Sequence, residues 1–403
     1  MSDRAAVLVV PLAPAPDGNG LAMRAGMLLE VMATAGPVDV VIVPVSGPAT
    51  PHAWAAARAR RVVVVDPSRP RSRAAVVELL GDACRRAMLE EMADLPARAR
   101  AADPGLASAV ADAWSNGVPT GDGAAPPVVV VLRAYLAPFG CTLARQLGAA
   151  RVVVDVDDDD ERWLRDRGEH AEADAYARLT EAWLGDVDLV VAASSSEAEA
   201  LAHRHPLRAV AAIPNAIRRP RAVSPPPRHD RVLFVGNLTY APNVEAARVL
   251  ALDVLPALRA EIPGATVDLV GPCDERVADL ATDGVVRVTD RVPDVAPHYA
   301  AADVVVVPLS EGAGTRIKVL EAFAFERAVV ATPIAVHGLA VLDGESVLLG
   351  EDAVALAAHA AALLRDPGAT RRLVVEASRV LGAHYLLDVV APRARRVLFS
   401  GGG

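Results

Sequence analysis

Val304-Val-Val-Val-Pro308-Leu-Ser-Glu-Gly312-Ala-Gly-Thr-Arg316-Ile-Lys-Val-Leu-Glu321 is the stretch that decides how this chain folds. The apolar run after Asp303, Val304 to Pro308, has the length and β-branching of a strand buried in a parallel sheet. A glycine-rich turn then opens onto a helix. Strand, Gly-x-Gly and helix, in that order, aim free backbone N–H groups and the positive end of a helix dipole at one point. An anion sits well there, most often a phosphate.

Arg316 and Lys318 fall in the first turn of that helix, where a cation opposes the dipole at a cost of up to about 1 kcal/mol unless something negative neutralises it. Lys318 is the only lysine in 403 residues, all the remaining Lys/Arg positions being arginine. A compact ammonium is therefore required at this position. Glu321, three residues on, shares its helix face, so the ammonium can meet a phosphate while the carboxylate accepts hydrogen bonds from hydroxyls farther along. An exposed ion pair on an ordinary helix is the plainer reading of such a spacing. The Gly-x-Gly turn and the lone lysine favour a site, with Lys318, Arg316 and Glu321 as its candidate catalytic residues.

The chain exceeds what a single core holds and points to two domains. Its composition is 53% hydrophobic but only 3% aromatic, so the core is aliphatic and recognition by ring stacking has few candidates. A net charge of −9 argues against a general nucleic-acid or anionic-membrane surface. Membrane association is peripheral at most. Cys84, Cys141 and Cys273 lie far apart without metal-ligand spacing, which fits a reducing compartment. The run Ala5 to Val10 is too short for a signal peptide, and no later run approaches the ~20 apolar residues of a membrane span. A cytoplasmic protein is expected.

Working outward, Val7 to Val10 reads as a first buried strand, followed by a loop with Gly18 and Gly20 and a helix from near Leu21 that carries Arg24. Loops at strand carboxyl ends are where open α/β sheets bind ligands. A plain connecting turn is as good a reading of these two glycines. Strands follow at Val38 to Val45 and Val62 to Val65. A mixed-charge helical region, Pro67 to Asp112, reads as a solvated face, an anionic-acceptor or membrane surface being the alternative. A Gly/Pro-rich loop covers Ser115 to Pro127. Strands at Val128 to Leu132, ending in Arg133-Ala-Tyr135, and at Arg151 to Val156 come next. The second runs into Asp155-Val-Asp-Asp-Asp-Asp160-Glu161. These carboxylates tempt a metal-site reading, but acidic residues favour helix starts, and a long helix to about Leu184 is expected from them. No metal site is expected.

Strands at Asp188 to Ala192 and Ala209 to Ile213 complete the first half, with Ser194 capping a helix. The proline-rich run to Pro227 then reads as a linker. The expected organisation is an N-terminal domain 1–213, a linker 214–230, a second domain 231–382, and a C-terminal helix in 383–403 packing back toward the first. Strands at Arg231 to Val235, Thr266 to Val270, Val285 to Val288, Val304 to Val307 and Val329 to Ala331 alternate with helices, one of them Val244 to Glu261 with Asn243 as its cap. Two doubly wound α/β domains facing one cleft are expected.

Phe-Val-Gly-Asn-Leu-x-Tyr-x-Pro-Asn at 234–243, Ala302-Asp303 before the valine run, Gly-Ala-Gly-Thr-Arg-Ile-Lys-Val-Leu-Glu-Ala at 312–322, Val-Val-Ala-Thr-Pro at 329–333 and His-Gly-Leu at 337–339 together resemble glycosyltransferase family 4. The first half agrees through Arg24, Val-Asp-x-Asp-Asp at 154–158 and Ile-Pro-Asn at 213–215. The resemblance implies the GT-B fold and a retaining, metal-independent transfer of a sugar from a nucleotide-diphosphate sugar to an acceptor hydroxyl. The donor is a co-substrate, and no cofactor is implied. By the same resemblance Glu321 meets the nucleotide ribose, and Lys318, Arg316, Gly314 and Thr315 lie at the diphosphate and sugar. Arg291 and Val292 fall in the loop that reads the base, and Gly236, Asn237, Glu311, Gly312 and Ala313 line the donor. Gly18 and Gly20 lie near its phosphates, with Arg24, Arg133 and Tyr135 on the acceptor side.

Two departures stand out. The family's first motif glutamate, eight residues before Glu321, is replaced by Ala313, with Glu311 close but out of register. The Arg–Lys pair expected after the first strand of the second domain is missing from 236–243. Two other readings stay open: a nucleotide-sugar epimerase on this architecture, and a non-catalytic partner subunit, which Ala313 suggests.

Overall fold

The computed structural model describes residues 5–18, 20–44, 50–65, 126–220, 228–312 and 316–400. The helical region expected at Pro67 to Asp112 lies outside them, as do Ala313, Gly314 and Thr315. The chain divides into two compact units, Met1–Asn215 with Ala391–Gly403, and Ala216–Val390. The boundary thus falls at the Ile213-Pro-Asn215 stretch, ahead of the proline run.

The first unit is built on seven parallel strands: β1 (Ala6–Val10), β2 (Val38–Ile42), β3 (Arg61–Val64), β4 (Val128–Leu132), β5 (Arg151–Asp157), β6 (Leu189–Ala192) and β7 (Val210–Ala212), in the order β3-β2-β1-β4-β5-β6-β7. β1, β2 and β4 are buried along their whole length, as valine runs covered on both faces should be. β2 stops short of the expected Val45, because Pro44 has no N–H to continue the ladder. Helix α1 (Gly20–Ala33) follows β1. The single helix expected after the acidic run is two, α2 (Asp160–Asp166) and α3 (His170–Trp183). Gly168 breaks it, with a φ of 78° that ends helices readily. Helix α4 (Ser195–Arg204) is capped as expected: Ser194 Oγ accepts from the Glu197 N–H at 3.2 Å and donates to its carboxylate at 2.9 Å.

The second unit has six parallel strands: β8 (Arg231–Val235), β9 (Thr266–Val270), β10 (Val286–Thr289), β11 (Val304–Val307), β12 (Ala328–Ala331) and β13 (Leu348–Leu349), in the order β10-β9-β8-β11-β12-β13. Asp303 fixes the entry to β8 by accepting from the backbone N–H groups of Arg228, His229 and Arg231 at 2.6, 2.9 and 3.0 Å. Helix α5 (Ala241–Val249) starts three residues before the expected Val244. It continues through a wide π turn, Leu250–Val254, into Leu255–Glu261. Pro256, lacking an N–H, accounts for the loosened turn before it. Helix α6 (Ile317–Ala324) follows β11 and buries Val319, Leu320 and Phe323. Helices α7 (Ala353–Arg365), α8 (Pro367–His384) and α9 (Leu387–Phe399) close the chain. Asp352 and Asp366 cap α7 and α8. Among the described residues no helix is long and apolar enough to cross a membrane.

Candidate active site

In the second sheet the strand order reverses between β8 and β11, and crevices at such switch points, beyond the carboxyl ends, are where doubly wound sheets bind ligands. Two segments meet there. The turn after β8 starts at Gly236, and the loop after β11 leads to α6, whose N-cap is Arg316. Lys318, in the first turn of α6, extends to the end of β8, where its ammonium donates to Asn243 Oδ1 at 2.6 Å and lies 4.4 Å from the Phe234 ring centroid. A Cβ on Gly236 would stand 3.1 Å from Lys318 Nζ and 3.2 Å from Asn243 Nδ2, so the absent side chain makes the room.

Asn243 is not the helix cap expected from sequence. Tyr240 takes that position, and Asn243 lies within the first turn, its amide donating to the Asn237 carbonyl at 2.9 Å. Asn237 itself is exposed, its side-chain oxygen accepting from the N–H and hydroxyl of Thr239. The surroundings shift the charge of the site. Burial, then the neighbouring Arg316 guanidinium, lower Lys318 to about 7, with Glu321 opposing. Glu321, one turn along the same face, accepts from the Tyr299 hydroxyl at 3.4 Å, and Tyr299 stacks on Phe325 at 4.6 Å between ring centroids.

Gly312 has a φ of 128°, a conformation that favours glycine, and a Cβ there would come within 2.8 Å of Arg316 Nη2, so the guanidinium lies against the bare backbone at Gly312. Glu311 beside it is half-buried. Arg291 and Val292 follow β10, at the carboxyl edge of the same sheet. Gly271, at the end of β9, was not singled out from sequence. With φ at 136°, a Cβ there would overlap the Gly236 carbonyl oxygen. Its only signal is a glycine closing an apolar strand.

In the first unit the order reverses between β1 and β4. Gly18, exposed with φ 90°, lies in the turn after β1, and Gly20 opens α1. Arg24, expected on the acceptor side, has no exposed side-chain surface. Its guanidinium donates to Asp155 at 3.0–3.3 Å, the Ile213 carbonyl at 2.8 Å and Asn215 at 3.2 Å, pinning β5 and the chain after β7 to α1. Arg133 and Tyr135 are buried as well, at 5% and 4% exposure. Arg133, with a φ of 81°, donates to Asp158 at 2.7 Å and Asp160 at 2.6 Å.

The acidic run is thus shared between strand and helix. Asp155 and Asp157 end β5, while Asp159 caps α2 through the Arg162 N–H and also accepts from Arg204 at 2.5 Å. Asp157 lies 3.4 Å from Arg24 and 3.7 Å from Arg133. Burial, then the Asp158 carboxylate, push Asp157 up to about 8 despite both arginines.

The family model described as Glycosyl transferases group 1 matches residues 229–366, which contain the whole of the second unit's site. Sucrose-phosphate synthase from Thermosynechococcus elongatus is similar in structure, with a TM-score of 0.69 and 19% identity over 99% of this chain and 100% of that one. HepE from Anabaena, solved with UDP and glucose, gives 0.66 and 14% over 98% and 100%. TarM from S. aureus gives 0.54 and 12%, and there 68% of this chain spans about half of its partner's length, 55%. No curated protein matches the sequence. A chain of two Rossmann-like units, the second of which carries the Glycosyl transferases group 1 match, has the GT-B fold.

Proposed function

We propose that this protein is a retaining glycosyltransferase that moves a sugar from a nucleotide-diphosphate sugar to an acceptor hydroxyl, with no metal and no cofactor beyond that co-substrate, in the cytoplasm. The observation that carries the proposal is that Lys318, from the first turn of α6, reaches the Gly236 turn at the switch point, with the Arg316 guanidinium close enough to act on its charge. As the bond from the anomeric carbon to the diphosphate breaks, negative charge collects on the leaving oxygen. Preorganised cations at a helix N-terminus stabilise that charge in the transition state more than in the ground state. Glu321, which accepts from the Tyr299 hydroxyl, would accept from ribose hydroxyls in this reading. HepE has been solved with UDP and with UDP-glucose, so uridine nucleotides are the first to test.

Titration calorimetry with UDP should show binding that Lys318→Ala weakens at least about tenfold, the loss expected of a charge-assisted contact, while the variant melts within a few degrees of wild type. Equal affinity in the two proteins would overturn the assignment. Transfer should persist in chelator, and the product's anomeric configuration, read by NMR, should match the donor's.

A further inference from the structure

The turn after β8, 236–243, contains no basic residue, and the cation at the end of β8 is instead Lys318 from α6, which must be held in place. A lysine side chain carries up to about 2 kcal/mol of rotamer freedom and a strong preference for water. Left alone, Lys318 would swing out, helped by repulsion from Arg316. Glu321, on its own helix, is engaged by Tyr299.

We propose that Asn243 is the positioning residue that holds the Lys318 ammonium at the end of β8 and ties it to the Gly236–Asn237 turn, so that lysine and turn meet the donor diphosphate as one preorganised surface. This rests on the nucleotide-sugar reading above. The geometry supports it in three ways. Asn243 is 9% exposed and spends its side chain on no helix N–H, bridging instead the Asn237 carbonyl at 2.9 Å and Lys318 at 2.6 Å. Only one orientation of its amide serves both, since the reverse sets NH₂ against ammonium and carbonyl against carbonyl. And Asn243 is a neutral acceptor. It fixes the ammonium without neutralising it, taking one of three N–H groups and leaving the charge for a phosphate. An aspartate would hold the lysine more firmly and spend its charge. The ionisable groups facing Lys318 are Arg316 and Glu321 of its own helix, with the Tyr299 hydroxyl behind Glu321, while β8 and α5 present the Phe234 ring and Asn243.

Because Lys318 is the only lysine, protein grown with ¹³C-lysine shows a single Cε signal, and its pH titration can be followed without assignment. Removing the acceptor in Asn243→Ala should lower the titration midpoint by about one pH unit, and Asn243→Asp should raise it by at least as much. Both variants should bind UDP about tenfold or more weakly at pH 7. That crossed pattern, opposite midpoints with weaker binding in both, is one a merely structural asparagine would not give. A folded Asn243→Ala protein with the wild-type midpoint overturns the inference, and if that variant does not fold, an unmoved midpoint in Asn243→Asp does so alone. A wild-type lysine signal that ignores saturating UDP would instead overturn the nucleotide-sugar reading, leaving the ligand-free titrations to decide the role of Asn243.

Discussion

A lysine that titrates at about 7 in the folded protein and near 10.5 in the unfolded chain makes folding and binding pull in opposite directions. Below pH 7 both states carry the proton, and the folded state bears the full cost of a desolvated ammonium. As pH rises from about 7 to about 10.5 the folded side chain is neutral while the unfolded one is not, and that cost is progressively relieved. Lys318→Met should therefore melt higher than ligand-free wild type at pH 6.5, with an advantage that shrinks toward pH 10 and is offset in part by the orphaned Asn243 carbonyl. Equal melting temperatures at pH 6.5 would show that the ammonium is adequately solvated. A diphosphate restores the proton, so UDP affinity in wild type should decline as pH rises above 7. Nucleotide binding at pH 8 should take up protons, seen as a dependence of the calorimetric enthalpy on buffer. On the proposed reading, nucleotide binding and ligand-free stability are thus opposed at one side chain.

At the scale of elements, the strands were readable because parallel sheets covered on both faces demand unbroken β-branched runs, and Val128–Leu132 or Val304–Val307 satisfy nothing else at that length. The end of β5 was not. Asp159 caps a helix as its local context suggests, but the strand expected to stop at Val156 runs on to Asp157, whose carboxylate lies 3.4 Å from Arg24, a distant partner that no local pattern predicts. Asn243 was misread for the same reason: beside Pro242 it looks like a cap, and its true partner is 75 residues distant. Removing Arg24 alone would leave a buried carboxylate uncompensated. Asp157 is a different case. Its carboxyl is held at about 8 in the folded protein, above the ordinary 3.8, so the stability it contributes is present below pH 4 and lost as pH rises through 8. Asn cannot ionise and tolerates the φ of 57° found here. The melting temperature of Asp157→Asn minus that of wild type should climb between pH 4 and pH 8 and level off above. A flat difference would mean that Asp157 is already ionised, satisfied by Arg24 and Arg133.

Seen whole, the chain uses one plan twice. Each sheet reverses order once, at β1/β4 and at β8/β11, and each places an aspartate in the strand next to one edge, facing an arginine in register on the edge strand: Asp39 with Arg61, and Asp268 with Arg287. The repetition extends to the ends of the strands, since Gly18 follows the first strand of one unit and Gly236 the first of the other. What fills those ends differs. In the second unit a cation and a glycine turn converge, whereas in the first the basic groups at the corresponding ends, Arg24 and Arg133, are already bound to carboxylates. A nucleoside diphosphate should therefore be held by the second unit. At a hundredfold excess over its dissociation constant, a ligand stabilises the state that binds it by about 2.7 kcal/mol, enough to slow exchange of the amides it orders by up to about a hundredfold. Hydrogen–deuterium exchange with UDP should show that slowing in 236–249 and 316–324, where the Gly236 turn, Asn243 and Lys318 lie, and little change in 151–160. Protection confined to 151–160 would place the nucleotide on the first unit. Protection at 236–249 without 316–324 would separate the lysine from the turn it touches, and with it the idea that one surface, assembled from the ends of β8 and β11, receives the phosphates.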